Sequence, residues 1–164
     1  MAIALRGSTL GLFNASPTVV ALPNTTNLND CIVVCMALQG TPTVTITGGG
    51  ATWVQALDEP PGPSLYIWVG YGCSAGNSTI TITFSGGTGS YALGQFSGVV
   101  SASSPVASAT GSTNGTSVST LASPTAAATP GQLVVAALAL SNAGTMSWST
   151  TTWSNSQTTT SLGA

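Results

Sequence analysis

The sequence predicts an all-β protein, an antiparallel two-sheet β-sandwich, and three observations carry that prediction. Apolar residues alternate with period two in residues 43–47 (TVTIT) and 78–84 (STITITF). Clusters of Gly, Pro, Asn and Ser punctuate the chain between such runs. Lys, Glu, Arg and Gln, the usual occupants of helix surfaces, are almost absent, so helix is expected for a turn or two at most.

The elements follow in order. Cys31–Leu38 is an eight-residue apolar run that reads as a strand buried on both faces or deep in a sandwich. Residues 43–47 make the next strand, and Gly48, Gly49 and Gly50 turn the chain towards Thr52-Trp53. Leu65, Ile67 and Val69 form one face of a further strand, with Tyr66, Trp68 and Gly70 opposite. In 78–84, Ile80, Ile82 and Phe84 share a face against Thr79, Thr81 and Thr83. Pro- and Gly-rich turns at 60–63, 74–77 and 85–89 separate these strands. Ile32, Val34, Ile67, Ile80, Ile82, Phe84, Val134 and Leu138 are expected to be mostly buried.

The 164 residues are read as a single domain with three stretches. Residues 1–99 hold a first strand set, 100–128 a Ser/Thr/Ala-rich connection, and 129–164 the start of a second set that echoes the first. The echo has an offset of 101, which places Val33-Val34 on Val134-Val135; Thr52-Trp53 answers Thr152-Trp153 at an offset of 100. The run 133–140 (LVVAALAL) is apolar on both faces and cannot sit at an open edge without inviting aggregation. The sandwich is therefore expected to be incomplete at the C-terminus, and its apolar surface covered by another copy or a different protein.

Composition narrows function. Only Arg6, Asp30, Asp58 and Glu59 carry side-chain charge, against 22 serines, 26 threonines and 20 glycines. One cation cannot neutralise phosphates, so nucleic-acid binding is excluded as a function class. Apolar runs of eight residues fall far short of the roughly 20 that a helix needs to enter a membrane. With no histidine there is no imidazole-based triad or metal site. Asp58 and Glu59 are adjacent and point to opposite faces of a strand; Asp30 meeting one of them as a carboxylate pair for glycoside chemistry is the lesser reading, and Asp30 and Arg6 are read as solvated surface groups. The expectation is a non-enzyme without cofactor or metal.

Cys31 and Cys35 lie four apart on one strand, ~13 Å at ~3.3 Å per residue, too far to bridge each other. They are read as buried free thiols, with Cys73 the one candidate disulfide partner. The opening MAIALRGS lacks the cationic and long apolar regions of a secretory signal. Sequons begin at Asn14, Asn24, Asn77 and Asn114, a chance expectation in so Asn-, Ser- and Thr-rich a chain.

Segments 30–38, Thr52-Trp53, 64–71, 78–84, 91–99 (YALGQFSGV) and 131–140 together resemble the lectin-like, jelly-roll β-sandwich domains of bacteriophage virion proteins and bacterial surface proteins. The opening MAIALRGS also looks like the start of such phage proteins. The resemblance implies a jelly-roll-like sandwich in a decoration, fibre or tail-associated virion component, made in the host cytoplasm. The implied partners are copies of itself, a major capsid protein or another virion protein. The alternative it leaves open is an extracellular or cell-surface carbohydrate-binding module or adhesin. Trp53, Tyr66, Trp68, Tyr71, Trp148 and Trp153 are the candidates for stacking on sugar rings.

Overall fold

The computed structural model describes residues 3–59, 64–99, 133 and 135. The described residues form eight strands and no helix, in two antiparallel sheets. The strands are β1 (Ala4–Phe13), β2 (Thr18–Ala21), β3 (Cys31–Leu38), β4 (Val44–Gly48), β5 (Thr52–Glu59), β6 (Ser64–Tyr71), β7 (Thr79–Phe84) and β8 (Gly89–Ser97). The large sheet has the order β1-β8-β3-β6-β5, and the small sheet β2-β7-β4. Pairing is nested: β1 with β8, β2 with β7 and β3 with β6. β5 leaves this nesting, because it pairs with β6 while β4 pairs with β7.

Three consecutive left-handed glycines make that crossing between sheets. Gly48, Gly49 and Gly50 have φ of 89°, 66° and 61°, a region closed to most L-residues. At Gly50 a Cβ would also meet the Ser74 Oγ and Asn77 Nδ2, so a larger residue must displace both side chains.

The core fills the space between the sheets. Ile32, Val34, Met36 and Leu38 point inward from β3, and Ile80, Ile82 and Phe84 from β7, each no more than 4% exposed. Each such side chain contributes roughly 1.5–3 kcal/mol by leaving water. The alternation at 78–84 therefore places the buried face where it is expected. On the outer face of the small sheet, Thr45, Thr47, Thr79 and Thr83 are exposed, with Thr45 opposite Thr83.

β6 reverses one expectation. Ile67 is half-buried and lies on the outer face of the large sheet, with Leu65 and Val69. The inward face is Ser64, Tyr66, Trp68 and Gly70 instead. Tyr66 wins the interior because its hydroxyl donates to the Pro42 carbonyl at 2.7 Å, satisfying its polar end. Gly70 wins because Trp53 lies over it, with ring atoms 2.9–3.0 Å from where a Cβ would stand. Val134, Leu138, the 60–63 turn and the 100–128 connection lie outside the described residues.

Candidate functional site

Two of the four charges meet inside the molecule. Asp30 is 1% exposed, and its Oδ2 accepts from Arg6 Nη1, from the Asn27 backbone N–H at 2.8 Å and from Gln95 Nε2 at 2.9 Å. Gln95 is wholly buried, and its Oε1 in turn accepts from the Asn24 backbone N–H at 3.2 Å. The reading of Arg6 and Asp30 as solvated surface groups is overturned. A carboxylate held beside β3 needs a cation and donors, and β1, β8 and the loop after β2 supply them. Their signal in the sequence is slight: an aspartate directly abutting a long apolar run, in a chain with one cation.

This node does not assemble a carboxylate pair with Asp58. Asp58 is exposed and stands level with Tyr66, itself level with Met36, six residues beyond Asp30. Six residues span about 20 Å of strand, whereas paired-carboxylate glycoside chemistry needs about 5–9.5 Å. Among the described residues no cluster of three His, Cys, Asp or Glu could hold a metal ion.

All three thiols are free. Burial pushes Cys31 and Cys35 up to about 12 and Cys73 up to about 11, which leaves them protonated and poor nucleophiles.

The sugar-stacking candidates do not share one environment. Trp53, Tyr66 and Trp68 project from the inner face of β5 and β6, Gln55 standing opposite Trp68. Tyr66 is 3% exposed and its ring is part of the core. Trp68 packs against the core, and its indole N–H is buried without an acceptor. Trp53 is half-buried; its N–H donates to the Gly48 carbonyl at 3.0 Å and its ring rests on Gly70. Tyr71 is half-buried at the end of β6, level with Thr52. Trp148 and Trp153 lie outside the described residues. Beside this strip, Thr41, Pro42, Thr43, Val44, Gln55, Asp58 and Tyr66 line a cleft of about 210 Å³.

The sheet edges differ sharply. β2 and β4 are short, at four and five residues. β5 carries Asp58 and a register shift between Gln55 and Leu57. Each of these features discourages a further strand from adding. β1 has ten residues; after a register shift of its own between Leu5 and Gly7 it runs unbroken from Gly7 to Phe13, and it pairs only with β8 among the described strands. Leu5, Leu10 and Leu12 on it are 49%, 49% and 57% exposed. Sequence reasoning missed this strand because its inward residues include Gly7, Thr9 and Gly11, small where Pro23 and Tyr91 take the space.

Among the described residues no helix is long and apolar enough to cross a membrane. Comparison of the chain with protein-family models, curated proteins and solved structures finds no match in any of the three.

Proposed function

We propose that the chain is a non-enzymatic structural component of a virus particle, a phage capsid-decoration, fibre or tail-associated subunit that acts by protein–protein packing. The observation that carries this reading is β1, a long edge strand, regular from Gly7 to Phe13, with exposed leucines and no outward charge. Such an edge adds strands from another chain through main-chain hydrogen bonds, without charged side chains. The exposed threonines of the small sheet support it, because an uncharged hydroxyl surface packs with little charge desolvation. The nested strand pairing is in keeping with a jelly-roll-like fold, with β5 as the departure. The partner is a second copy, a major capsid protein or another virion protein, over an interface of more than about 1,000 Å².

Sedimentation of the full chain, with antibody labelling of native particles by electron microscopy, tests the proposal. The chain should self-associate, Leu10→Lys with Leu12→Lys should abolish association while leaving thermal stability intact, and label should decorate particles. A monodisperse monomer that labels no particle defeats it.

A second reading, a carbohydrate-binding module or adhesin at the cell surface, is favoured by Trp53 alone. Its ring is fixed by Gly48 and Gly70 and flanked along β5 by the exposed Gln55 and Asp58, as a sugar platform requires. A glycan array probed with the wild type and Trp53→Ala decides it: binding lost in the variant supports this reading, and silence from both removes it.

A further inference from the structure

Among the described strands β1 is the one edge that favours a further strand, and the geometry restricts what it can pair with. β2 and β4 are short, and β5 is blocked by Asp58 and its register shift. A chain with one competent edge cannot build a ring or a filament by strand addition, because each step of growth uses a second edge. Edge pairing between copies therefore stops at two and joins β1 to β1.

Two rotations bring the same edge of two copies together. A two-fold axis along the strands makes the pair parallel and sets the outer face of one sheet level with the core face of the other. A two-fold axis normal to the sheet makes the pair antiparallel and keeps each face continuous across the seam. Only the second holds Leu10 and Leu12 of both copies on one side, away from the core face that Gly11 shares with Tyr91. Such an axis falls on one residue facing its own copy. From Gly7 to Phe13 the strand is unbroken, seven residues centred on Leu10. An axis at Leu10 pairs all seven, whereas an axis at Thr9 or Gly11 pairs only five of them.

We infer that the chain forms a closed homodimer in which β1 pairs antiparallel with β1 of a second copy about a two-fold axis at Leu10. Leu10 then faces Leu10 of the second copy, and Ser8 faces its Leu12. Leu10 and Leu12, 49% and 57% exposed in the single chain, close on their counterparts as one cluster of four leucines across the seam. No charged residue lies between Gly7 and Phe13, and Arg6, just outside the seam, is turned to Asp30. Two identical edges therefore meet without like-charge repulsion. On the core side Thr9 faces Gly11, and Gly7 faces a Phe13 that is already folded into its own core at 1% exposed. Nothing there holds the two sheets apart. The seam is roughly 24 Å long at ~3.4 Å per residue and carries about six to eight main-chain hydrogen bonds. The inference rests on the reading of β1 as an assembly edge, and adds to it the partner, the symmetry and the register.

Disulfide trapping of the full chain reads this register directly. The native thiols are held protonated by burial and do not compete, which the wild type run alongside checks. Diamide takes up the two protons and two electrons that a pair of thiols releases. It should convert Leu10→Cys to a covalent dimer, because facing residues have Cα atoms about 4.5–5.5 Å apart. Leu12→Cys alone and Ser8→Cys alone should cross-link at least about tenfold more slowly, since each lies ~13 Å from its own copy. Mixed together, those two variants should cross-link to each other. In the wild type, amides of Gly7–Phe13 should gain protection from hydrogen exchange as rising concentration takes the chain from monomer to dimer in sedimentation. Faster trapping of Leu12→Cys or Ser8→Cys alone than of Leu10→Cys overturns the inference. So do open-ended oligomers, a chain that stays monomeric at every concentration, or full protection of β1 in the dilute monomer, which would mean that the same chain covers the edge. The inference and the virion reading fail separately. A dimer of this register that labels no particle defeats only the virion reading, and labelled particles whose subunits do not trap at Leu10→Cys defeat only the inference.

Discussion

Gln95 Nε2 donates to Asp30 Oδ2 at 2.9 Å, and neither residue is more than 1% exposed. The amide ties β8 to the start of β3 at the same carboxylate oxygen that Arg6 reaches from β1. One acidic oxygen therefore joins three adjacent strands of the large sheet at one end. Arg6→Gln leaves that carboxylate buried without its cation and is expected to cost about 3–5 kcal/mol. Denaturant unfolding followed by intrinsic fluorescence measures it; a loss below about 1 kcal/mol would show the pair to be a surface ornament.

The Trp53 ring and Gly70 give a second test. Gly70→Ala places a methyl group 2.9–3.0 Å from ring atoms that the Gly48 hydrogen bond holds in place. Overpacking of this kind costs about 1–3 kcal/mol, and the indole must shift. A changed Trp emission together with lower stability is expected; wild-type values for both would mean the ring is not seated there.

Gly50→Ala should be worse tolerated than its small size implies. It adds a Cβ at φ 61° and drives it into Ser74, at the turn that carries the chain between sheets. The expected cost is about 2 kcal/mol or more from strain and clash together. Gly76→Ala, also at positive φ but in open space, is the control that isolates the clash.

Alkali should unfold the protein earlier than tyrosine ionisation alone would. Cys31 and Cys35 ionise near 9.0 in an unfolded chain and about 12 in the folded one. Their contribution is complete below pH 9 and is lost as the pH rises from there towards 12, because the unfolded state releases protons first. The slope is at most about 1.4 kcal/mol per pH unit for each thiol. Denaturant titrations between pH 7 and 11, in reductant, should show the decline, and Cys35→Ala should flatten part of it.

Asp58→Asn combined with Glu59→Gln is expected to change stability by no more than about 0.5 kcal/mol, since Asp58 is exposed and far from the Asp30 node. No glycoside or ester should be turned over by either form. A hydrolytic activity abolished by these two changes would falsify the non-enzyme reading.

Much of the fold is legible in the sequence, for a physical reason. Where one face of a strand is apolar and the other threonine, as in β7, alternation gives both the element and its buried side. In β6 both faces are apolar or aromatic, so the period gives the strand but not which side is inside. The hydroxyl of Tyr66 and the ring of Trp53 settle that through contacts distant in sequence. β1 hides because most of its inward positions, Gly7, Thr9 and Gly11, are small, and only Phe13 at its end fills the core itself. The Arg6–Asp30–Gln95 node hides because its partners are 24 and 65 residues apart. Of the aromatic candidates, the sequence shows which rings exist, while exposure depends on which strand each faces across the sandwich.

Pairing Arg6 with a sequestered Asp30 also shapes how the molecule behaves as a colloid. Two of its four ionic side chains cancel internally, which leaves Asp58 and Glu59, adjacent in sequence, as the others. The rest of the chain is rich in hydroxyls, amides and aliphatic carbon, with almost no counter-ion atmosphere to compress. Sodium chloride should therefore change its self-attraction little, because there is little Coulomb repulsion to screen. Ammonium sulfate should precipitate it at low concentration, because salting-out acts on the uncharged surface that the chain has in abundance.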